Sequence, residues 1–363
     1  MSNEFTTPPP NNLKKRYGLF IVCVCLVVLA AYLIATGLYS STPSNQISAQ
    51  TFVDLQETNM PVPGFRRAHA KGICISGEFV ANGALSTLST ASVFKQGRYP
   101  FMGRFSIAGN NPTAPDLKAP VRSLAFSIDL GAEHQWRVAM NTPPVMAVAT
   151  PDAFFKQLSA LAPDPSTGKR DPSKIQAFFK AHPETAAFIA WKDGYEPTDS
   201  FAAERYHSIN AFYLHDANNN KRAVRFAATP QLNNIDLGAL DKNSDDALQE
   251  QLIQMLEEKH VAFDLEFTIA SSEDDENDPT IPWPEQRERI IGGQLVIASA
   301  SAQNESRCGS TNFDPLVLPT GMSATADPIL RARSAAYAES YRRRAKERLL
   351  TDEETINAQL GAQ

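Results

Sequence analysis

Arg333 and Tyr337 are the residues of this sequence whose types and spacing best suit chemistry on a metal. Asp327 and Pro328 can cap and begin a helix here, and residues four positions apart share one helix face. A guanidinium beside a phenol lowers the free-energy cost of the phenolate. A phenolate is a hard anionic oxygen that can serve as an axial ligand of ferric haem iron. Arg344, two turns further on, could then meet a haem propionate.

His69 is a second candidate, because it could move a proton. Arg66 and Arg67 lie within three positions of it, and their charge would lower its pKa and keep the imidazole neutral. A neutral imidazole can take a proton from an incoming hydroperoxide and later give it to the leaving hydroxide. Both segments also have an ordinary interpretation, since a lone histidine is often structural and the helix could simply present a solvated face.

The composition excludes several function classes. The 363 residues carry a formal net charge of −6, which gives no reason to expect a nucleic-acid partner. Four cysteines without a C-x-x-C pair indicate neither a disulfide framework nor a zinc or iron–sulfur site. Cys74 and Cys308 could pair in an oxidising compartment, but we interpret them as two free thiols.

An apolar segment near the N-terminus predicts a membrane anchor. Residues 17–39 carry no charge and are long enough to span a bilayer, and a basic run, 14–16, precedes them. The positive-inside rule places residues 1–16 in the cytoplasm as a tail and the bulk of the chain beyond the membrane. We favour an uncleaved signal anchor over a cleaved signal peptide, and interpret the polar residues 40–50 as a linker.

The remaining residues, 51–363, predict one α+β domain. Alternating apolar and polar positions predict strands at 73–80, 103–109, 121–130, 136–140, 208–215, 222–228, 261–270 and 294–302. Helical spacing predicts helices at 151–161, 175–179, 185–191, 245–259 and from 327 onward. The acidic run 271–278 lacks the ordered spacing of a calcium loop, so we interpret it as a solvated loop. Antiparallel strands of this kind can close into a barrel with helices packed outside.

Five motifs, in order along the chain, resemble those of one family. The sequence resembles the haem catalases, and more closely their short relatives, the catalase-related peroxidases. The motifs that carry the resemblance are Arg66-x-x-His69-Ala-Lys-Gly72, Arg104-Phe-Ser106, Asn141-Thr-Pro143, Asp278-Pro-x-x-x-Trp283-Pro284, and Asn312-Phe-Asp-Pro315 followed by 327–344. The resemblance implies a catalase-like antiparallel β-barrel with surrounding helices, preceded here by one N-terminal transmembrane helix.

The resemblance also implies a cofactor, haem b, and a role for each matching residue. Tyr337 would be the proximal ligand of the iron, with Arg333 stabilising its phenolate. The implied contacts to the propionates and the ring are Arg66, Arg104, Arg344 and Phe154.

On the other side of the cofactor the resemblance implies a distal group. His69 would be the acid–base residue, Ser106 would orient it, and Asn141 would hydrogen-bond the peroxide. The segment that carries Asn141 is one residue shorter than the family's usual asparagine motif.

Two further departures bear on activity. Pro120 stands where large catalases carry a channel aspartate. The long N-terminal arm and C-terminal helical domain of large catalases are not matched here. A more open haem is implied, which favours organic reductants over a second peroxide, and a monomer or dimer is favoured over an interlocked tetramer.

The sequence therefore predicts a haem-dependent peroxidase of the bacterial inner membrane, with one membrane pass and its catalytic domain in the periplasm. Its substrates would be hydrogen peroxide or organic hydroperoxides together with small organic electron donors, with weak catalase activity. Three alternatives stay open: a true catalase, an allene oxide synthase that rearranges fatty hydroperoxides, and a non-enzymatic haem carrier or sensor.

Overall fold

The computed structural model describes residues 24, 28, 47–57, 62–131, 135–164, 166–231, 237–303 and 306–360, and side chains as far as residue 350. The chain divides into two compact units, Met1–Gln46 and Ile47–Gln363, and everything below concerns the second. The predicted tail 1–16 and anchor 17–39 lie outside the described residues, apart from Val24 and Val28. Among the described residues, no helix combines the length and apolar character needed to cross a membrane.

Ten strands form one antiparallel sheet in the described part of the chain. They are β1 (Gly72–Ala81), β2 (Gly97–Ile107), β3 (Arg122–Asp129), β4 (Gln135–Asn141), β5 (Tyr206–His207), β6 (Phe212–His215), β7 (Lys221–Pro230), β8 (Val261–Ile269), β9 (Arg289–Ala302) and β10 (Met322–Ala324). The order is β10-β6-β7-β5-β4-β3-β2-β1-β9-β8, and β7 also pairs with β8. This last pairing closes eight strands into the predicted barrel, with β6 and β10 added at its side.

The predicted strand 208–215 is interrupted in the structure. Ile209 has a φ of +65°, a conformation that a β-branched residue adopts only under constraint. The chain therefore leaves the ladder after His207 and rejoins it at Phe212, so the prediction of one continuous strand was wrong.

Aromatic side chains fill the barrel around Trp136, which is 1% exposed. The Trp136 ring meets Phe94 edge to face at 5.5 Å and Phe226 at 5.6 Å, and stacks on Phe267 at 6.4 Å. Such contacts add to the apolar area that the rings bury. The interior is therefore a packed core, and a binding site must lie elsewhere.

Seven helices surround the barrel in the described residues. They are α1 (Ala49–Glu57), α2 (Pro151–Leu161), α3 (Pro172–Ala181), α4 (Ala186–Gly194), α5 (Ala247–Glu258), α6 (Arg307–Ser310) and α7 (Pro328–Leu360). Short 3₁₀ turns lie at Ser92–Phe94, Asp116–Lys118, Pro183–Thr185 and Phe201–Ala203.

The start of α7 is set by the predicted cap. Asp327 Oδ1 accepts from the backbone N–H of Ile329 at 2.8 Å and of Leu330 at 3.3 Å, and Pro328 occupies the first helical position. The carboxylate satisfies donors that the first turn leaves without partners. The helix continues to Leu360, because no glycine or proline interrupts it.

Helix α1 begins inside the segment predicted as a linker. Ser48 Oγ accepts from the N–H of Thr51 at 3.1 Å, a capping contact that starts the helix at Ala49. Glu57, its last residue, accepts from Arg67 and Arg343, and Arg343 belongs to α7. Ion pairs thus hold α1 beside the long helix.

Cys74 and Cys308 form a disulfide with Cα atoms 5.7 Å apart, so the interpretation as free thiols was wrong. Cys74 on β1 is the cross-strand partner of Ser301, near the end of β9. Cys308 lies seven residues after Ser301, in α6, which brings it close to Cys74. The Cα separation suits a disulfide. The 234-residue separation in sequence gave no indication of this approach.

The acidic run 271–278 is a loop, as predicted, and two of its carboxylates accept hydrogen bonds from neighbouring side chains. Asp274 accepts two hydrogen bonds from Arg287, at 2.7 and 2.9 Å. Glu276 accepts from the Tyr213 hydroxyl at 2.8 Å. Among the described residues, no group of acidic, histidine or cysteine side chains is arranged to hold a metal ion.

We expect Trp136→Ala to lower the free energy of unfolding by about 3 to 5 kcal/mol, because it empties the centre of the core. Urea unfolding of the full chain in detergent measures the change. Leu349→Ala is the control, since Leu349 is 66% exposed and should change stability by no more than about 0.5 kcal/mol. Equal effects of the two substitutions would contradict the central place of Trp136.

Candidate functional site

A cavity of about 280 Å³ lies against the outer face of β2 to β4, bounded by α7, α1 and the start of α2. Every residue predicted for the site lines it. These are Arg66, His69, Arg104, Ser106, Asn141, Phe154, Arg333, Tyr337 and Arg344. Residues that the sequence did not single out also line it, among them Phe52, Gln56, Ser123, Ala125, Ala139 and Ile209.

Strand alternation explains why the cavity is on the outer face. Ile73, Phe105, Leu124 and Met140 are consecutive cross-strand partners, and all belong to the barrel core. Their neighbours along each strand point the opposite way.

Two rows of such neighbours face the cavity. One row runs Gly72, Ser106, Ser123, Asn141, and the other runs Cys74, Arg104, Ala125, Ala139. Antiparallel register thus gathers distant motifs onto one surface.

His69 is held in a strained conformation at the end of the first row. Its φ is +56°, which costs a residue other than glycine about 1 to 3 kcal/mol. Ser123 Oγ lies 3.1 Å from Nδ1 of His69 and donates to Asn141 Oδ1 at 2.5 Å. Since the single hydroxyl proton goes to Asn141, Ser123 accepts from Nδ1–H. This assignment leaves Nε2 of His69 as a proton acceptor.

The serine in contact with His69 Nδ1 is Ser123, whereas the sequence predicted Ser106 for this orienting role. The two serines are direct cross-strand partners on β2 and β3, so they share a face and differ by one strand. The hydroxyl within hydrogen-bond distance of His69 Nδ1 is the one on β3. The role of Ser106, which also lines the cavity, stays a prediction.

The pKa of His69 is lowered from 6.5 to about 4. Removal of the ring from solvent is the largest cause, followed by the positive charges of Arg104, Arg333 and Arg66, while a backbone hydrogen bond with Ile107 acts in the opposite direction. Both main effects disfavour the imidazolium. His69 is consequently neutral at physiological pH, as a proton acceptor must be.

Arg333 is fixed by two acceptors outside its own helix. It donates to Asn210 Oδ1 and, at 2.8 Å, to the carbonyl of Ala139. Asn210 in turn donates to Asp327 at 2.6 Å, the residue that caps α7. The guanidinium carbon lies 6.0 Å from the centre of the Tyr337 ring. The cap, the arginine and the phenol therefore belong to one connected unit.

Three more arginines converge on the cavity, and each is held by oxygen atoms that carry no charge. Arg66 donates to the carbonyls of Cys308 at 2.9 Å and Thr311 at 2.8 Å. Arg104 donates to Gln303 Oε1 at 2.7 Å and to the Ala70 carbonyl at 3.1 Å. Arg344 donates to the Gly309 carbonyl at 2.8 Å.

These guanidinium groups destabilise one another. The pKa values of Arg104 and Arg344 are lowered to about 9 and about 10, and that of Arg66 is lowered strongly. Burial is the first cause in each case, and a neighbouring arginine is the second. Among the described residues, Arg344 Nε is buried and has no hydrogen-bond partner. Four arginines and no aspartate or glutamate line the described cavity, so the cavity suits an anionic ligand.

Gly72 makes room for one of these arginines. A Cβ atom at this position would lie 2.7 Å from a terminal nitrogen of Arg104 and 2.2 Å from the carbonyl oxygen of Phe105. Contacts this short do not occur, so any larger residue would displace the guanidinium or the strand. The glycine of the His69 motif is thereby explained by packing against the second motif.

The lining of the cavity suits an anionic, largely apolar ligand such as haem. Several alanines line it, together with Phe154 and Phe52, whose ring centres are 5.4 Å apart. Guanidinium groups whose acceptors among the described residues are uncharged suit carboxylates, while the Tyr337 phenol suits iron. The residues that would hold haem are thus Tyr337 for the metal and Arg66, Arg104 and Arg344 for the propionates.

Several contributors to the site left little signal in the sequence. Ser123 follows Arg122 on a predicted strand and is in phase with Ser106 once the register is known. Asn210 and the carbonyls of Cys308 and Gly309 act through tertiary contacts that no motif encodes. Phe52 lies in α1, where the sequence predicts no helix and whose first two residues fall in the predicted linker 40–50.

Solved structures share this architecture. A bacterial catalase matches with a TM-score of 0.68 at 21% identity, over 85% of this chain and 64% of that one. A fungal catalase matches with a TM-score of 0.69 at 18% identity, over 80% and 62%. These identities show the fold alone, and the chain spans less than two thirds of each solved chain. The fold and the cavity define a β-barrel protein of catalase type.

Sequence comparison gives the family. The catalase family model matches residues 54–351. A catalase-related peroxidase of Synechococcus elongatus is 34% identical over 342 residues, 92% of this chain and 98% of the relative. One of Mycolicibacterium paratuberculosis is 28% identical over 306 residues, 84% and 95%. This chain therefore belongs to the catalase family, which confirms the predicted resemblance and supports a catalase-like or peroxidase function.

We expect Ser123→Ala to lower the rate of the reaction with peroxide by about tenfold, the equivalent of one hydrogen bond at His69. Ser106→Ala should have a smaller effect, since Ser123 makes the contact. Stopped-flow rates of the two haem-loaded variants give the comparison. A larger loss in Ser106→Ala would return the orienting role to Ser106.

The lowered pKa of His69 predicts an unusual pH profile. The rate of the reaction with peroxide should be constant from roughly pH 8 to pH 5 and fall only as the imidazole is protonated. The same shift affects stability, because the folded-state pKa of about 4 lies below the ordinary 6.5. This contribution is complete above pH 6.5 and is lost as the pH falls through about 4. A rate midpoint at 6.5 or higher would contradict the geometry.

Proposed function

We propose that the protein is a haem-dependent peroxidase, which reduces hydrogen peroxide or an organic hydroperoxide with small organic electron donors. The observation that carries the proposal is one cavity that combines neutral His69, the Tyr337 phenol and four arginines. Bound ferric haem, of the b type, would supply the redox chemistry between peroxide and donor.

The residues of the chain prepare the reaction by fixing protons and charges. Nε2 of His69 accepts a proton from the hydroperoxide and returns it to the departing oxygen. Ser123 and Asn141 hold the ring orientation that leaves Nε2 available. Arg333, held by Asn210 and Ala139, keeps its guanidinium carbon 6.0 Å from the centre of the Tyr337 ring.

The share of each relative's length that aligns with this chain favours peroxidase activity over catalase activity. The catalase-related peroxidases match over nearly their whole length, whereas a catalase of Pseudomonas aeruginosa is covered over 56% of its length at 26% identity. Phe52 of α1 and Phe154 of α2 give the cavity edge an apolar surface. Such a surface suits small aromatic donors.

A non-enzymatic haem carrier is disfavoured by the hydrogen bonds of His69. A carrier needs an iron ligand and propionate contacts but no proton acceptor. The strained backbone of His69 and its link through Ser123 to Asn141 fix the orientation of the imidazole. Proton transfer needs this fixed orientation, whereas haem binding alone does not.

The proposal also includes the cellular location of the protein. The apolar segment 17–39 anchors the protein in the inner membrane with one pass, and the domain lies in the periplasm as a monomer or dimer. The Cys74–Cys308 disulfide supports this orientation, since disulfides persist in oxidising compartments. Protease added to spheroplasts should digest the domain, and a protected domain would contradict the orientation.

The activity is tested on the full chain in detergent, loaded with ferric haem. Oxygen release and dye oxidation are followed in parallel after addition of peroxide. Dye oxidation well in excess of oxygen release supports the peroxidase, and dominant oxygen release makes the protein a small catalase. Absence of haem uptake would refute both.

We expect His69→Ala to retain haem and to lose about 10² to 10⁴ in its rate with peroxide, the usual contribution of general acid–base catalysis. Tyr337→Phe should instead lose the tyrosinate absorption and bind haem weakly. His182→Ala is the control, because His182 pairs with Glu184 and does not line the cavity. A haem-replete Tyr337→Phe protein with an unchanged spectrum would rule out Tyr337 as the ligand.

A further inference from the structure

The Cys74–Cys308 disulfide packs against three residues that line the cavity, Phe313, Ala125 and Tyr337. Cys74 is the cross-strand partner of Arg104, in the row that faces the cavity. Cys308 belongs to the four-residue helix α6. Both residues are buried, with exposures of 3% and 2%. The bond therefore joins the wall of the site to the segment that follows β9.

The segment after β9 supplies hydrogen-bond acceptors to Arg66, Arg104 and Arg344, the three arginines assigned above to the propionates. Gln303 Oε1 accepts from Arg104, the carbonyls of Cys308 and Thr311 accept from Arg66, and the Gly309 carbonyl accepts from Arg344. We call Gln303 and residues 306–311 the acceptor segment.

Among the described residues of the acceptor segment, regular secondary structure is limited to the four-residue helix α6. Its helix is a single turn, with short-range bonds such as Gly309 N–H to the Ser306 carbonyl at 3.0 Å. A Cβ atom on Gly309 would lie 2.2 Å from the Gln303 carbonyl oxygen, so the turn is closely folded on itself. The disulfide ties this turn covalently to the barrel.

The same bond supports the candidate iron ligand. Cys74, Cys308 and Phe313 form a small apolar cluster, and Tyr337 and Ala125 pack against it. A shift of the sulfur atoms would therefore move both the acceptors of the arginines and the surface under the Tyr337 ring.

We propose that the Cys74–Cys308 disulfide is a positioning element of the site, which fixes the arginine acceptors and the Tyr337 ring and thereby slows the loss of haem. The proposal rests on the haem site proposed above. Mutual repulsion among Arg66, Arg104 and Arg344 is the physical reason. Without rigid acceptors the guanidinium groups would separate toward solvent and no longer converge on one anion.

The test compares full-length wild-type protein with Cys74→Ala/Cys308→Ala, both loaded with ferric haem. Transfer of haem to excess apomyoglobin measures the dissociation rate, and electron paramagnetic resonance of the ferric iron reports the ligand geometry. We expect haem to dissociate about tenfold faster or more, which is the usual effect of removing a group that orients the ligands of a metal without touching the metal itself. We also expect a broadened ferric signal.

Ile297→Ala is the matched control for lost stability. Ile297 is a core residue with 1% exposure, and its truncation lowers stability by an amount comparable to loss of a disulfide. It should leave the dissociation rate and the ferric signal unchanged. Equal acceleration in this control, or no acceleration in the cysteine variant, would overturn the proposal.

A double-mutant cycle separates positioning from general stability. Arg344→Gln is measured with and without the disulfide, and the two effects on dissociation should be non-additive because Gly309 links them. Full additivity would overturn the proposal. If wild-type protein takes up no haem, the proposed function itself fails, which is a different outcome from equal rates in haem-loaded proteins.

A second route applies if the cysteine variant does not fold. A water-soluble phosphine reduces the disulfide in the folded haem protein, giving two thiols and the phosphine oxide, with the oxygen and two protons taken from one water molecule. The same dissociation rate is then measured. An unchanged rate in fully reduced protein would overturn the proposal.

Discussion

The site depends on an excess of positive charge that the protein does not neutralise. Arg66, Arg104 and Arg344 lie together, their acceptors in the described part of the chain are uncharged oxygens, and burial lowers the pKa of each. Such an arrangement costs folding free energy, because like charges lose solvent together. It persists only if other interactions outweigh that cost, and the large aromatic core and the disulfide are the means available here.

The barrel determines which residues meet at the charged site. Strand alternation assigns one face to the core and the other to the cavity, and antiparallel register aligns residues that are far apart in sequence. Gly72, Ser106, Ser123 and Asn141 form one row across four strands in this way. A shift of one residue in any pairing would turn that strand's site residues into the core, so the packing around Trp136 indirectly fixes the chemistry.

Local signals in the sequence predicted most of the fold, because caps, alternation and turn residues act over short distances. Asp327 and Pro328 marked the start of α7 correctly. Contacts between distant segments were not predictable in this way: the disulfide crosses 234 residues, and Ser123 differs from Ser106 only by which strand lies under His69. The break at Ile209 was also missed, since no glycine or proline announces its positive φ.

In the proposed function the arginines would act on the proton acceptor as well as on the cofactor. The charges that attract an anion also keep His69 neutral, since Arg104, Arg333 and Arg66 all lower its pKa. Two propionates would compensate part of this charge, while Arg333, committed to Asn210 and the Ala139 carbonyl, would continue to act on Tyr337. One cluster of cations thus serves two purposes: it attracts an anion to the cavity, and it holds the imidazole of His69 in its basic, uncharged form. Electrostatics links the two, because any change that separates the guanidinium groups would weaken the attraction for the anion and raise the pKa of the proton acceptor together.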